Sequence, residues 1–164
     1  MKEVLKAVNF GEFAALESLC RALWHETYDG LLGGDQVDYM LEKFQSERAF
    51  FRQMRGENYR YFFIVCGGET AGYTALAYEK ERLFLSKLYL KKEYRGTGLA
   101  KTALEEIFAA ARRLGYGAVY LTVNKKNARA IAAYEKYGFE RESAVVGEIG
   151  GGYVTDDYVY ARRV

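Results

Sequence analysis

The order of elements between residues 82 and 123 constrains this chain more than any other feature. A β-rich run, RLFLSKLYL (82–90), leads through a short loop, KKEYRGTG (91–98), into a long amphipathic stretch at 98–114. In that stretch Leu99, Ala100, Ala103, Leu104, Ile107, Phe108, Ala111 and Leu114 recur at helical spacing and make one apolar stripe. Gly115 stands where a helix-ending glycine is expected. A second apolar run, GAVYLTV (117–123), reads as a buried strand. Two strands joined through a helix pair in parallel, so the core is a strand–helix–strand unit.

The rest of the chain surrounds that unit with antiparallel strands. YRYFFIVC (59–66) and TAGYTALAYE (70–79) flank a Gly67-Gly68 pair, a strong hairpin signal. With residues 82–90 they predict a three-stranded meander. After a short helix at 127–137, FERESAVVGEI (139–149) and YVTDDYVYARR (153–163) predict a last hairpin across a triple-glycine turn. Upstream, residues 3–8 read as a short strand. Asn9 is placed to cap a helix running to about Trp24, and YDGLLGGD (28–35) reads as a glycine-rich loop. Residues 35–55 predict one or two more amphipathic helices, ended by Gly56. The expected fold class is α/β with a mixed central sheet, in a single domain spanning 1–164.

Composition excludes several function classes. The formal net charge is +2, too balanced for bulk nucleic-acid binding. No run approaches the ~20 apolar residues of a membrane span, and the N-terminus lacks a signal peptide, so a cytoplasmic protein is expected. Cys20 and Cys66 are far apart and are expected to be small buried residues, with no disulfide. One histidine and scattered carboxylates argue against a metal site.

The loop EYRGTGLA (93–100) then needs an explanation. The first N–H groups of a helix lack intrahelical partners and sit at the positive end of its dipole. Glycines let several such groups converge on one anion, and Lys91, Lys92, Arg95 and Lys101 add positive charge. The loop is a phosphate cradle, but it lacks the GxxxxGK[ST] of a Walker A loop. The third glycine of a dinucleotide fingerprint is replaced by Lys101.

A second stretch, NKKNARAIAAYEKYGF (124–139), decides between phosphates. Together with Arg95, Gly98 and Ala100, its Asn127, Ala130, Tyr134 and Gly138-Phe139 resemble the signature motifs of the GNAT superfamily, the GCN5-related N-acetyltransferases. The resemblance is firm from about residue 60 to 139 and general elsewhere. It implies a central sheet splayed into a V, flanked by helices, with acetyl-CoA lying in the V as cosubstrate and no metal. It implies that the pantetheine arm pairs with Leu88, Tyr89 and Leu90, and that the pyrophosphate sits on Arg95, Gly96, Thr97, Gly98, Leu99, Ala100 and Lys101. Asn127 would bond the pantetheine. Tyr134 would lie near the thioester sulfur as general acid, and the N–H of Leu88 or Leu90 would face the oxyanion. Transfer is direct, so no enzyme nucleophile is needed.

The base is left open. Ser86 stands where many relatives carry a glutamate. Candidates are Glu26, His25, Glu79, and Asp156 or Asp157. The acceptor would lie opposite the cosubstrate, near Trp24, Tyr28, Asp156 and Tyr158. Carboxylates and aromatics there suit a cation, and the overall pattern resembles the polyamine-acetylating branch. Strand alternation puts Asp156 and Asp157 on opposite faces, so at most one enters the cleft. A primary amine on a small cationic molecule is the expected acceptor. Acetylation of a protein or peptide and acyl-CoA sensing without turnover stay open, and a homodimer is possible.

Overall fold

The computed structural model describes residues 3–164. The strands are β1 (Leu5–Ala7), β2 (Tyr59–Cys66), β3 (Glu69–Tyr78), β4 (Leu83–Leu90), β5 (Ala118–Asn124), β6 (Glu140–Gly150) and β7 (Tyr153–Arg163). The helices are α1 (Phe13–Leu32), α2 (Gly34–Phe44), α3 (Glu47–Gly56), α4 (Leu99–Arg113) and α5 (Ala128–Lys136). One mixed sheet runs in the order β1-β2-β3-β4-β5-β7-β6. Among the described residues only β4 and β5 pair in parallel; every other neighbour is antiparallel.

The parallel pair is where the sheet opens. β4 and β5 are in register only at Leu83↔Val119 and Phe84↔Tyr120. Beyond Phe84 the two strands part, and β4 has lost its partner on that side. This is the V that the resemblance implies.

A bulge in β4 sets what faces that opening. Opposite β3, Ala75 pairs with Lys87 and Leu76 with Leu85, so Ser86 is the extra residue. It reverses the strand's alternation. Leu83 and Leu85 before it, and Leu88 and Leu90 after it, all pack toward α4. Ser86, Lys87 and Tyr89 are turned to the other face, beneath α1.

That other face is held by a buried polar network. Trp24 Nε1 donates to the Tyr73 hydroxyl at 2.7 Å, and that hydroxyl donates to Gln45 Oε1 at 2.8 Å. Gln45 Nε2 reaches the Tyr61 hydroxyl at 3.0 Å, and Tyr61 donates to Gln53 Oε1 at 2.5 Å. Each of these buried groups has a partner, so their desolvation is offset and α1, α2, α3, β2 and β3 are fixed in one arrangement.

Several expectations need correction. Asn9 caps a short 3₁₀ turn, Phe10–Glu12, that feeds α1. The helix then runs on to Leu32, through the segment expected to be a loop. A glycine inside a helix costs only about 1 kcal/mol. Tyr28 and Leu32 offset Gly30 by packing on the core. Cys66 is exposed beside the Gly67-Gly68 turn, whereas Cys20 is buried as expected. Among the described residues no helix is long and apolar enough to cross a membrane.

Candidate active site

The V holds a cleft of about 260 Å³. β4 lines it from Leu85 to Leu90, Arg95, Gly96 and Ala100 close one end, and Asn127, Ala130, Ala133, Tyr134 and Tyr137 form the wall from α5. Tyr28 and Lys87 reach it from the α1 face.

At the loop end, Gly96 and Gly98 adopt φ of 72° and 86°. Nothing lies within 4 Å of a Cβ built on either, so it is the left-handed backbone, and not crowding, that calls for glycine. No side chain caps α4, which leaves its first N–H groups free. Arg95 is anchored twice: Nε donates to Leu90 O at 3.0 Å, and Nη2 pairs with Glu26 at 2.8 Å. The anchoring holds the loop against the end of β4. Leu99 is buried in the apolar cluster under the loop, so its contribution is its backbone.

At the α5 end, Asn127 caps the helix through Ala130 N at 3.3 Å and lines the cleft. The Tyr134 ring packs edge-on against Phe139, 5.5 Å between centroids. Burial pushes its hydroxyl well above the ordinary phenol range, so it stays protonated. Among the described residues no protein group bonds that hydroxyl, while Tyr28, Tyr73 and Tyr89 all bond theirs. The phenol is free to donate to whatever enters the cleft.

The acceptor side departs from expectation at several residues. Trp24 is a core residue, 3% exposed, with its N–H spent on Tyr73. Asp156 points to solvent and pairs with Lys125 at 2.7 Å. Its neighbour Asp157 faces the interior, close enough for its charge to act on Lys87 and Tyr28. Burial raises the Asp157 carboxyl, and the charge of Lys87 opposes that rise. Tyr158 lies on the opposite face of β7, under the Arg141 guanidinium at 3.8 Å. Tyr28 does line the cleft, its hydroxyl 2.7 Å from that of Tyr89.

Most base candidates are also engaged elsewhere. Glu26 holds Arg95. Glu79 accepts from the Tyr120 hydroxyl. His25 sits between Asp29 at 2.6 Å and Asp38 at 2.8 Å, joining α1 to α2. The hydrogen bond to Asp29 raises its pKa, with Asp38 adding to the effect. Of these candidates only Asp157 lies close enough for its charge to act on Lys87, which lines the cleft.

Sequence reasoning gave Lys87 no role, because the bulge that aims it and Ser86 at α1 leaves no mark in the residue pattern. Thr27, Thr122 and Arg129 also line the cleft and were not anticipated.

The acetyltransferase (GNAT) family matches residues 16–139. The chain belongs to that family. It is 37% identical over 98 residues to an uncharacterized N-acetyltransferase of Mycobacterium tuberculosis, an alignment spanning 59% of this chain and 62% of that protein. It is 28% identical over 103 residues to the ribosomal protein bS18-alanine N-acetyltransferase of Escherichia coli, covering 63% and 70%. It is 24% identical over 142 residues to the spermidine N(1)-acetyltransferase of Thermoplasma acidophilum, covering 84% and 88%. The crystal structure of the PaiA N-acetyltransferase of the same organism, in complex with coenzyme A, superposes with a TM-score of 0.82 at 20% identity, covering all of both chains. The mixed α/β fold is that of the GNAT acetyltransferases.

Proposed function

We propose that this chain transfers the acetyl group of acetyl-CoA directly to a primary amine of a small cationic acceptor, with a polyamine as the class that fits. The observation that carries the reading is the cleft itself. A glycine loop with free helix N–H groups lies at one end, an unpaired strand edge runs along the middle, and an unpartnered, protonated phenol stands on the α5 wall.

In this reading the backbone of Leu88–Leu90 receives the pantetheine, and a free N–H of that strand faces the developing oxyanion. The loop from Arg95 to Lys101 receives the pyrophosphate. The amine lone pair attacks the thioester carbonyl, a C–N bond forms and the C–S bond breaks. Tyr134 hands its proton to the leaving sulfur.

Two features support a small cation. The acceptor side is walled: α2 is tied to the β6–β7 hairpin by Gln36 Nε2 to Val154 O at 2.9 Å and by the Tyr39 hydroxyl to Ile149 O at 2.8 Å. A wall of this kind favours a small molecule over a protein segment. Asp157 supplies a half-buried carboxylate for the ammonium. The spermidine N(1)-acetyltransferase relative, aligned over most of this chain, agrees. The bS18-alanine N-acetyltransferase relative favours acetylation of a protein N-terminus instead.

Thiol release from acetyl-CoA, measured with spermidine, diamines and N-terminal alanine peptides, separates the two. Turnover of the polyamines and not the peptides is expected; turnover of peptides alone overturns the small-amine reading. Asp157→Asn is expected to raise KM for spermidine about tenfold, the loss of roughly one charge-assisted contact, with kcat changed far less. An unchanged KM removes Asp157 from acceptor binding.

A further inference from the structure

The bulge in β4 turns an amine of the protein itself into the cleft. Lys87 lines the cleft and lies 5.9 Å from the centroid of the Trp24 ring. Its Nζ donates to Ser86 O at 3.1 Å and to Ser86 Oγ at 2.9 Å. Ser86 Oγ in turn is 3.1 Å from the Tyr59 hydroxyl. A neutral amine has two hydrogens and one lone pair. Both hydrogens are spent on Ser86, which leaves the lone pair for the cleft. Among the described residues no carboxylate forms an ion pair with Lys87.

The surroundings are as informative as the contacts. From α1, Cys20 lies close enough to act on the lysine, Tyr28 and Tyr89 line the same cleft, and Tyr73 from β3 packs against Tyr89. Burial pushes the Cys20 thiol up to about 12 and raises all three phenols, so none carries charge. Tyr59 from β2 and Tyr134 from α5 are raised by burial too. Among the described residues Asp157, from β7, is the one carboxylate whose charge acts on Lys87. An ammonium on Lys87 would repel a cationic acceptor at short range. The site therefore works best with Lys87 uncharged.

We infer that Lys87 is the proton acceptor of the reaction, taking a proton from the acceptor nitrogen at the base of the cleft. The inference rests on the acetyl-transfer reading above. The balance is simple. An acceptor ammonium loses two protons on becoming an amide. One leaves as the thiol proton of CoA, through Tyr134. The other passes to the Lys87 lone pair and then to solvent, with Ser86 and Tyr59 holding the amine in place. Burial, the largest influence, lowers the lysine pKa to about 8. Roughly one molecule in ten is then neutral at pH 7, against roughly one in a thousand for an ordinary lysine.

The test compares wild type with Lys87→Arg and Lys87→Gln. Arginine keeps the charge and the donors but does not accept a proton near neutrality. Both variants are expected to lose roughly 100- to 1,000-fold in kcat/KM for spermidine at pH 7.5, with acetyl-CoA affinity within about twofold of wild type. The wild-type pH profile should rise to a plateau just above pH 8, while the variants keep rising toward the amine's own pKa of about 10.4. An acceptor already neutral at the assay pH, such as a fluorinated ethylamine, should recover most of the lost rate. Activity of Lys87→Arg equal to wild type overturns the inference, as does a loss that the neutral amine fails to recover. A pH limb abolished by Asp157→Asn alone assigns the proton to Asp157 and overturns it too. Should the variants not fold, NMR titration of the wild-type lysine decides: an amine titrating near 8 supports the inference, and one near 10.4 overturns it. A wild type without turnover on any amine overturns the transfer reading and this inference together. Normal turnover with an unaffected Lys87→Arg overturns this inference alone.

Discussion

Tyr134→Phe is expected to lower kcat by about a hundredfold while leaving acetyl-CoA affinity within about twofold. General acid catalysis contributes about 10²- to 10⁴-fold, and the low end applies where water can partly replace the donor. The phenylalanine keeps the ring that packs edge-on against Phe139, so α5 should hold its place. Only the hydroxyl is removed, and among the described residues no protein group depends on it, so no buried partner is orphaned. Steady-state thiol release with a calorimetric titration of acetyl-CoA separates the two effects. Unchanged kcat would remove Tyr134 from the role of acid. A large loss of affinity would make it a binding residue instead.

Gly72→Ala is expected to be the most damaging small substitution in the sheet. Gly72 faces Leu90 across the β3–β4 pairing. A Cβ there would lie 2.0 Å from Tyr89 O and 2.9 Å from Leu90 Cα, both backbone atoms. The strands must separate, and Tyr89 has no room to follow because its ring is packed against Trp24, Tyr28 and Tyr73. Overpacking of this kind costs about 3 kcal/mol, which at this chain length is roughly a 10 °C fall in Tm. The displaced segment, Leu88–Leu90, is also the one proposed to receive pantetheine, so acetyl-CoA affinity should fall with stability. Thermal unfolding and a binding titration on the same sample check both. A variant with wild-type Tm would mean that β3 and β4 do not approach this closely.

These two residues mark what the sequence disclosed and what it hid. Tyr134 was legible because it belongs to a spaced pattern, Asn127, Ala130, Tyr134 and Gly138-Phe139, and helical spacing turns such a pattern into a wall. The strand–helix–strand unit was legible because periodicity changes sharply at Gly98 and Gly115. Gly72 carried a signal that went unread, since a glycine inside a strand marks a close backbone approach. Lys87 could not be read at all. Its direction depends on an extra residue in β4, and bulges arise from strand pairing that no single strand encodes. Alternation correctly separated Asp156 from Asp157, but the face that each took was set by how β7 inserts between β5 and β6. Trp24 was misjudged for a related reason. A long-range partner, Tyr73, took a side chain that local sequence left free.

The most direct test of the account is a crystal structure with a bisubstrate adduct in which the sulfur of CoA is joined through an acetyl bridge to spermidine. The pantetheine is expected between β4 and β5 and the pyrophosphate on the N-terminus of α4. The sulfur is expected within hydrogen-bond reach of the Tyr134 hydroxyl, with the polyamine running past Lys87 toward Asp157. An adduct bound outside the V, or one whose sulfur lies away from Tyr134, would contradict the account.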